Sequence, residues 1–165
     1  MALLPILQYP DPRLRITASP ITEIDDELHR IVDDMYETMY DAKGVGLAAT
    51  QVNIHKRIFV MDVTPDQSGR ITVINPEILS MEGECFEGEG CLSVVGEYDK
   101  VKRAQKLRFR GMDLTGNLFE MDAIDLMAVC VQHEVDHLNG ILFVDHLSKL
   151  KQGRIKDRKL KSNRK

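Results

Sequence analysis

The sequence predicts an α+β fold in which helices pack on antiparallel β-sheet. Three observations lead there. Residues 21–44 carry apolar side chains at helical spacing, residues 57–121 break into short β-branched runs closed by turn residues, and helical spacing returns from about Ile124. The chain has 165 residues, 43% of them hydrophobic, which suits one domain able to bury a core without crosslinks.

Each element follows from local pattern. In ITEIDDELHRIVDDMYETMYDAKG, Leu28, Ile31, Val32, Met35 and Met39 form one apolar stripe. Thr22 with Asp25 resembles a capping pair, and Gly44 is a plausible terminator. That stripe reads as core packing. RIFVMDV and TVINP are β-branched runs, KLRFRG alternates, and DLTGN is a turn before LFEM. Short strands joined by tight turns favour antiparallel pairing over βαβ units. On the next helix Met127, Cys130, Val131, Glu134 and Leu138 share a side, and Gly140 is a fair stop. A third helix is expected from about Asp145 into the C-terminal tail.

Charge and cysteine usage exclude several classes. Residues 149–165 hold nine Lys/Arg against Asp157 alone, a net +8, so residues 1–148 carry −12 of the −4 total. An acidic body with a basic tail points to a polyanionic partner for the tail, RNA above all, unless the tail is simply a solvated, frayed terminus. No apolar run reaches the ~18 residues of a membrane span. The start, MALLPILQYPDP, lacks a basic region and is broken by prolines, unlike a secretory signal. Cys85, Cys91 and Cys130 are an odd set without disulfide spacing, so reduced thiols and a cytoplasmic location are expected.

The chemistry lies in QHEVDHLNG, residues 132–140. His133 and His137 are four apart, so on a helix about 40° separates their directions and both rings can face one ion. Glu134 lies roughly 100° round from His133, too far to be a ligand but placed to reach a water on that ion. Two ligands and a general base from one turn is the logic of H-E-x-x-H. The plain alternative is two surface histidines beside solvated carboxylates. The longer metalloprotease pattern fails, because Phe143 stands where its third histidine belongs. Asp145 and His146 lie further on.

A cysteine is the better third ligand. Cys91 follows Gly88 and Gly90 in FEGEGCLSV, and glycines in a strand-like segment mark a close backbone approach. Cys130, three residues before His133, could line the site or bind more awkwardly. Cys85 reads as a small, partly buried hydrophobe. Two imidazoles and one thiolate leave a fourth position open, as in a catalytic site. Without a CxxC pair the chain is neither a zinc ribbon nor a zinc deaminase. GVGLAATQ, residues 44–51, lacks the residues of a phosphate-binding loop. Gln51 could supply an amide donor to an oxyanion, although composition alone favours a packed turn with a surface glutamine.

GVGLAATQ, EGCLS and QHEVDHLNG, in that order, resemble the three signature motifs of the peptide deformylases, and ILQYPDPRLR resembles that family's N-terminus. The resemblance runs from residue 5 to 148, which would be a catalytic domain over 1–148 with a basic tail over 149–165. It implies antiparallel sheets around a central helix carrying H-E-x-x-H, with a C-terminal helix. It implies hydrolysis of the formyl group from the N-terminal formylmethionine of nascent chains, by attack of metal-bound water with release of formate. Cys91, His133 and His137 would bind one divalent ion, Fe(II) natively, with Zn(II) or Ni(II) as substitutes. Glu134 would carry the proton from that water to the leaving amine. Gln51 and the Leu92 N–H would hold the formyl oxygen, and the Gly46 backbone would pair with the peptide. Val45, Val129 and Cys130 lie near the motifs and are candidates for the methionine pocket, although core packing serves the two valines as well.

Two departures bear on peptide preference. Val95 stands where the family's cysteine motif usually has proline, and Tyr98 stands near a position where some members have arginine. Arg103 is a nearby cation, read as structural. In this family a basic C-terminal helix can dock on the ribosome, so rRNA becomes the expected partner of residues 149–165. A monomer in the bacterial cytoplasm, with no membrane contact, is expected. The rivals are a zincin-type peptidase using Asp145 or His146 as third ligand, and a non-catalytic RNA-binding module stabilised by metal.

Overall fold

A computed structural model describes residues 2–163. Helix α1 is Asp26–Asp41, strands β1 and β2 are Gly46–Ala48 and Ile58–Met61, and β3 is Ile71–Glu82. Strands β4 (Cys85–Cys91), β5 (Val94–Arg103), β6 (Lys106–Met112) and β7 (Leu118–Ile124) follow, then helices α2 (Asp125–Leu138) and α3 (Lys149–Asn163). The strands form an antiparallel five-stranded sheet in the order β1-β2-β3-β6-β7, and a separate β4–β5 hairpin.

The five-stranded sheet is covered on both faces. Successive side chains of a strand point to opposite sides. On β2, Phe59 and Met61 therefore join the α2 side, with Phe109, Leu107, Ala128 and Val131, while Ile58 and Val60 join the α1 side, with Leu28, Val32, Met35 and Met39. This double burial explains why IFVM is apolar throughout rather than alternating. A third apolar cluster ties the N-terminal Leu7, Tyr9 and Leu14 to Val94 and Val101 of the hairpin, to Phe143 and to Ile155 of α3.

Several boundaries differ from the sequence expectation. Asp25 alone caps α1, accepting the Leu28 N–H at 2.9 Å, while Ile21 is held outside the helix by the Asn75 side chain. The left-handed residue after α1 is Lys43 (φ 59°), not Gly44. Strand β3 does not stop at Pro76. It runs on to Glu82 through a register shift between Ile74 and Glu77, which absorbs the missing N–H. The segment Phe143–His146 is a short 3-10 turn, so α3 begins at Lys149 rather than near Asp145. Helix α3 runs to Asn163, and Arg164 and Lys165 lie outside the described residues. Among the described residues no helix is long and apolar enough to cross a membrane.

Candidate active site

Helix α2 places His133 and His137 one turn apart, with Nε2 atoms 3.1 Å from each other. The end of β4 brings the Cys91 Sγ to 3.3 Å from His137 Nε2. These three ligating atoms lie within 4.8 Å of one another, the one such group among the described residues. His133 Nδ1 is 2.9 Å from the Glu89 carboxylate, so in the neutral ring Nδ1 is the donor and Nε2 is left to present its lone pair to the cluster. Two imidazoles and a thiol with converging lone pairs are a donor set that fits a divalent cation and leaves a coordination position open. Beside them, Glu134 is buried and its Oε1 has no hydrogen-bond partner, an atom that calls for a proton donor in the cleft.

An ion network, buried at Arg103 and Glu89, stands behind these three side chains. Arg103 is 5% exposed and grips Glu89 through Nε and Nη2 at 2.8 and 2.9 Å, and Asp136 through Nη1 at 2.7 Å. Glu89 is equally buried. Burial opposes its charge, but hydrogen bonds from Arg103 and His133 outweigh that and hold its carboxyl down at about 2. Burial also opposes a charge on His133, yet Glu134, Cys91 and Glu89 together pull that ring well up. Burial and the neighbouring His133 push His137 well below the ordinary imidazole value. Burial lifts the Glu134 carboxyl to about 7.

The opposite wall comes from β1 and the 3-10 turn Ala49–Val52. Gln51 is 1% exposed, not the surface glutamine that composition favours, because the turn tucks it between α2 and the hairpin. Its Oε1 accepts the Ala48 N–H at 3.0 Å, which directs Nε2 toward Ser93 Oγ at 3.1 Å and the Cys91 sulfur at 3.6 Å. A Cβ on Gly46 would meet Glu134 Oε2 at 2.5 Å and Cys130 Sγ at 2.8 Å, so any larger residue there would push the carboxylate and the thiol out of place. The cleft between these walls holds about 610 Å³. Val45, Gly46, Gln51, Cys91, Leu92, Val129, Cys130, His133 and Glu134 all line it.

Other candidates fall elsewhere. Asp145 is held by Arg15 and the Leu142 N–H, and His146 lies 2.9 Å from Asp136, so neither joins the donor cluster. The structure thereby removes the third ligand required by the peptidase alternative. Cys85 is half-buried at the far end of β4. Val95 and Tyr98 lie exposed on the cleft rim, where the Tyr98 ring covers Gly90. Sequence reasoning missed Glu89 as the partner of His133. A signal existed: Glu89 and Cys91 are two apart on a strand, which puts both on one face. The reach of Arg103 across to α2 had no such signal.

An α+β scaffold with a sulfur and two imidazoles gathered beside an unpartnered buried carboxylate defines a metal-dependent hydrolase. The model of the polypeptide deformylase family matches residues 3–153. A peptide deformylase of Cellvibrio japonicus is 55% identical over 96% of this chain and 94% of its own length. One from Neisseria gonorrhoeae is 52% identical over 100% and 98%. The crystal structure of a peptide deformylase from Legionella pneumophila superposes with a TM-score of 0.94 at 47% identity, covering 99% of this chain and 96% of that one. An Ehrlichia chaffeensis peptide deformylase in complex with actinonin gives 0.94 at 38% identity, covering all of both chains. The chain belongs to the polypeptide deformylase family, enzymes that remove the N-formyl group from nascent peptides in a metal-dependent reaction.

Proposed function

We propose that Cys91 at the end of β4, with His133 and His137 on the helix α2 that forms the centre of the site, holds one divalent ion, Fe(II) in the cell with Zn(II) or Ni(II) as substitutes. The observation that carries this is the convergence of their three ligating atoms within 4.8 Å beside Glu134. Such an ion, when bound, supplies Lewis acidity to a water and to the formyl oxygen. Glu134 accepts the proton of the attacking water and delivers it to the amine nitrogen as the C–N bond breaks and formate leaves. Gln51 Nε2 and the Leu92 N–H donate to the formyl oxygen as it gains charge. The Gly46 backbone pairs with the peptide as an added strand, and Val45, Val129 and Cys130 receive the methionine side chain. Residues 1–148 form the catalytic unit.

Formate release from formyl-Met-Ala-Ser tests the scheme. Glu134→Gln should lower kcat by about 10²–10⁴ with metal content retained. Cys91→Ser should lower metal content itself, and a Cys91→Ser protein that keeps both metal and turnover would overturn the ligand set. Actinonin should protect the metal-loaded protein from thermal unfolding.

Helix α3 keeps Lys149, Arg154, Lys156 and Lys161 exposed, a basic surface suited to rRNA at the ribosome in the bacterial cytoplasm. Ribosome binding should be salt-sensitive and should weaken when residues 149–165 are removed. Unchanged binding refutes this. The enzyme acts as a monomer, which sedimentation at working concentration checks.

A further inference from the structure

Residues Leu7–Tyr9 bond to both walls of the cleft at consecutive positions. The Leu7 N–H donates to the Gln51 carbonyl at 2.8 Å, Gln8 Nε2 donates to the Leu92 carbonyl at 2.8 Å, and the Tyr9 N–H donates to the Ser93 carbonyl at 2.7 Å. Gln51 sits on the 3-10 turn beside the five-stranded sheet, while Leu92 and Ser93 form the turn of the β4–β5 hairpin. Two donors from separate layers must converge on one oxygen, and this segment spans the gap between them.

Leu7 and Tyr9 are buried in the third apolar cluster, so the backbone on either side of Gln8 is anchored. Gln8 lies between them, lines the cleft, and uses its amide on the hairpin turn. Its Oε1 is buried without a partner, so the Leu92 bond alone sets the amide's direction; a flipped amide would place oxygen against oxygen. The Leu92 carbonyl and the Leu92 N–H belong to adjoining rigid peptide planes that meet at one Cα. Holding the carbonyl therefore limits how far the N–H can turn. On its other side the turn is held by the Ser93 N–H donating to the Cys91 sulfur at 3.4 Å.

We infer that Gln8 is a positioning residue for formyl hydrolysis: its amide holds the hairpin turn so that the Leu92 N–H meets the oxygen as charge develops. This rests on the assignment of the Leu92 N–H and Gln51 as oxyanion donors. A donor that matters only once charge has developed affects turnover more than substrate binding, so kcat falls and KM stays. A full donor is worth about 10²–10³ and a 1 Å misplacement about 10², so a loosened donor should cost about tenfold.

The test uses the metal-loaded full chain with Gln8→Leu, Gln8→Glu and Gln51→Leu. Leucine removes the donor, and glutamate keeps the shape but sets a carboxylate against the carbonyl, which guards against a folding defect peculiar to leucine. Both Gln8 variants should lose about tenfold in kcat with KM within twofold and metal content unchanged. In protein labelled with 15N-leucine, the Leu92 amide should exchange with solvent faster in the variants, while the Leu28 amide of α1 does not. If Gln51→Leu lowers kcat but the Gln8 variants stay within twofold of the parent, the inference fails and the oxyanion assignment stands. If Gln51→Leu leaves kcat unchanged, the assignment itself fails and the inference with it. A loss of metal or of melting temperature that accounts for the Gln8 effect also overturns the inference, since Gln8 would then serve only the fold.

Discussion

The two sheets of this enzyme are stabilised by different physics. The five-stranded sheet is packed on both faces, and Phe59, Val60, Met61, Val73, Ile74 and Phe109 are fully buried in it. The β4–β5 hairpin buries less of its own: Phe86, Val95 and Tyr98 are exposed, while Val94 and Val101, with Cys91 packed against them, reach the third apolar cluster. Polar ties add to that small apolar contact. Arg103 fixes it to α2, and Glu97 and Asp99 pair with Arg158 and Lys151 of α3. Yet the hairpin contributes Cys91 and Leu92 to the cleft, while the well-packed layer contributes Gln51 and supports α2. A strand pair whose attachments are charged can lie along an open cleft without closing it, as a hydrophobic contact would.

The largest effect should come from cutting the charged tie. Arg103→Ala leaves the buried Glu89 and the half-buried Asp136 without their cation and should destabilise the protein by about 3–5 kcal/mol, measured by urea unfolding. Loss of under 1 kcal/mol would mean that the hairpin does not depend on this network. Removing a ring separates the layers next. Phe109→Ala in the five-stranded sheet should cost about 3–4 kcal/mol, whereas Phe86→Ala on the hairpin should stay within about 0.5. Equal costs would erase the contrast.

Acid should release α3 before the core melts. The hydrogen bond from Arg158 holds the Glu97 carboxyl below its usual value, and the Lys100 N–H with Lys151 does the same for Asp99. Lowered folded values mean that this support is complete above the ordinary carboxylate range, about pH 4, and fades as pH falls through the folded values. Amide protection in α3, taken relative to intrinsic exchange at each pH, should therefore fall on acidification while protection in β2 does not, and Glu97→Gln should blunt the fall. An equal loss of protection in both elements would contradict separate attachment. The smallest effect belongs to the exposed stretch of β3 and β6, where Arg110 pairs with Glu77 in solvent. Arg110→Ala should change stability by at most about 0.5 kcal/mol, and less in high salt.

Periodicity and spacing alone reveal much of this molecule. The α1 stripe from Leu28 to Met39, the runs IFVM and KLRFRG, and the helix that carries His133 and His137 are visible because each depends on neighbours within a few residues. So is the pairing of those two rings, since helical rise fixes it. The start of α3, the continuation of β3 through Pro76 and the burial of Gln51 were decided by packing between distant segments.

The sequence by itself determined the fold class and the facing of His133 and His137, because local geometry sets a helix face, and it offered Cys91 as a candidate beside them. Tertiary structure decided that Cys91 rather than Asp145 or His146 closes on them, that Arg103 braces His133 through Glu89, and that Leu7–Tyr9 bridges the cleft walls. Those contacts join residues 14 to 84 positions apart. No periodicity encodes them, and only the assembled layers bring them within hydrogen-bond reach.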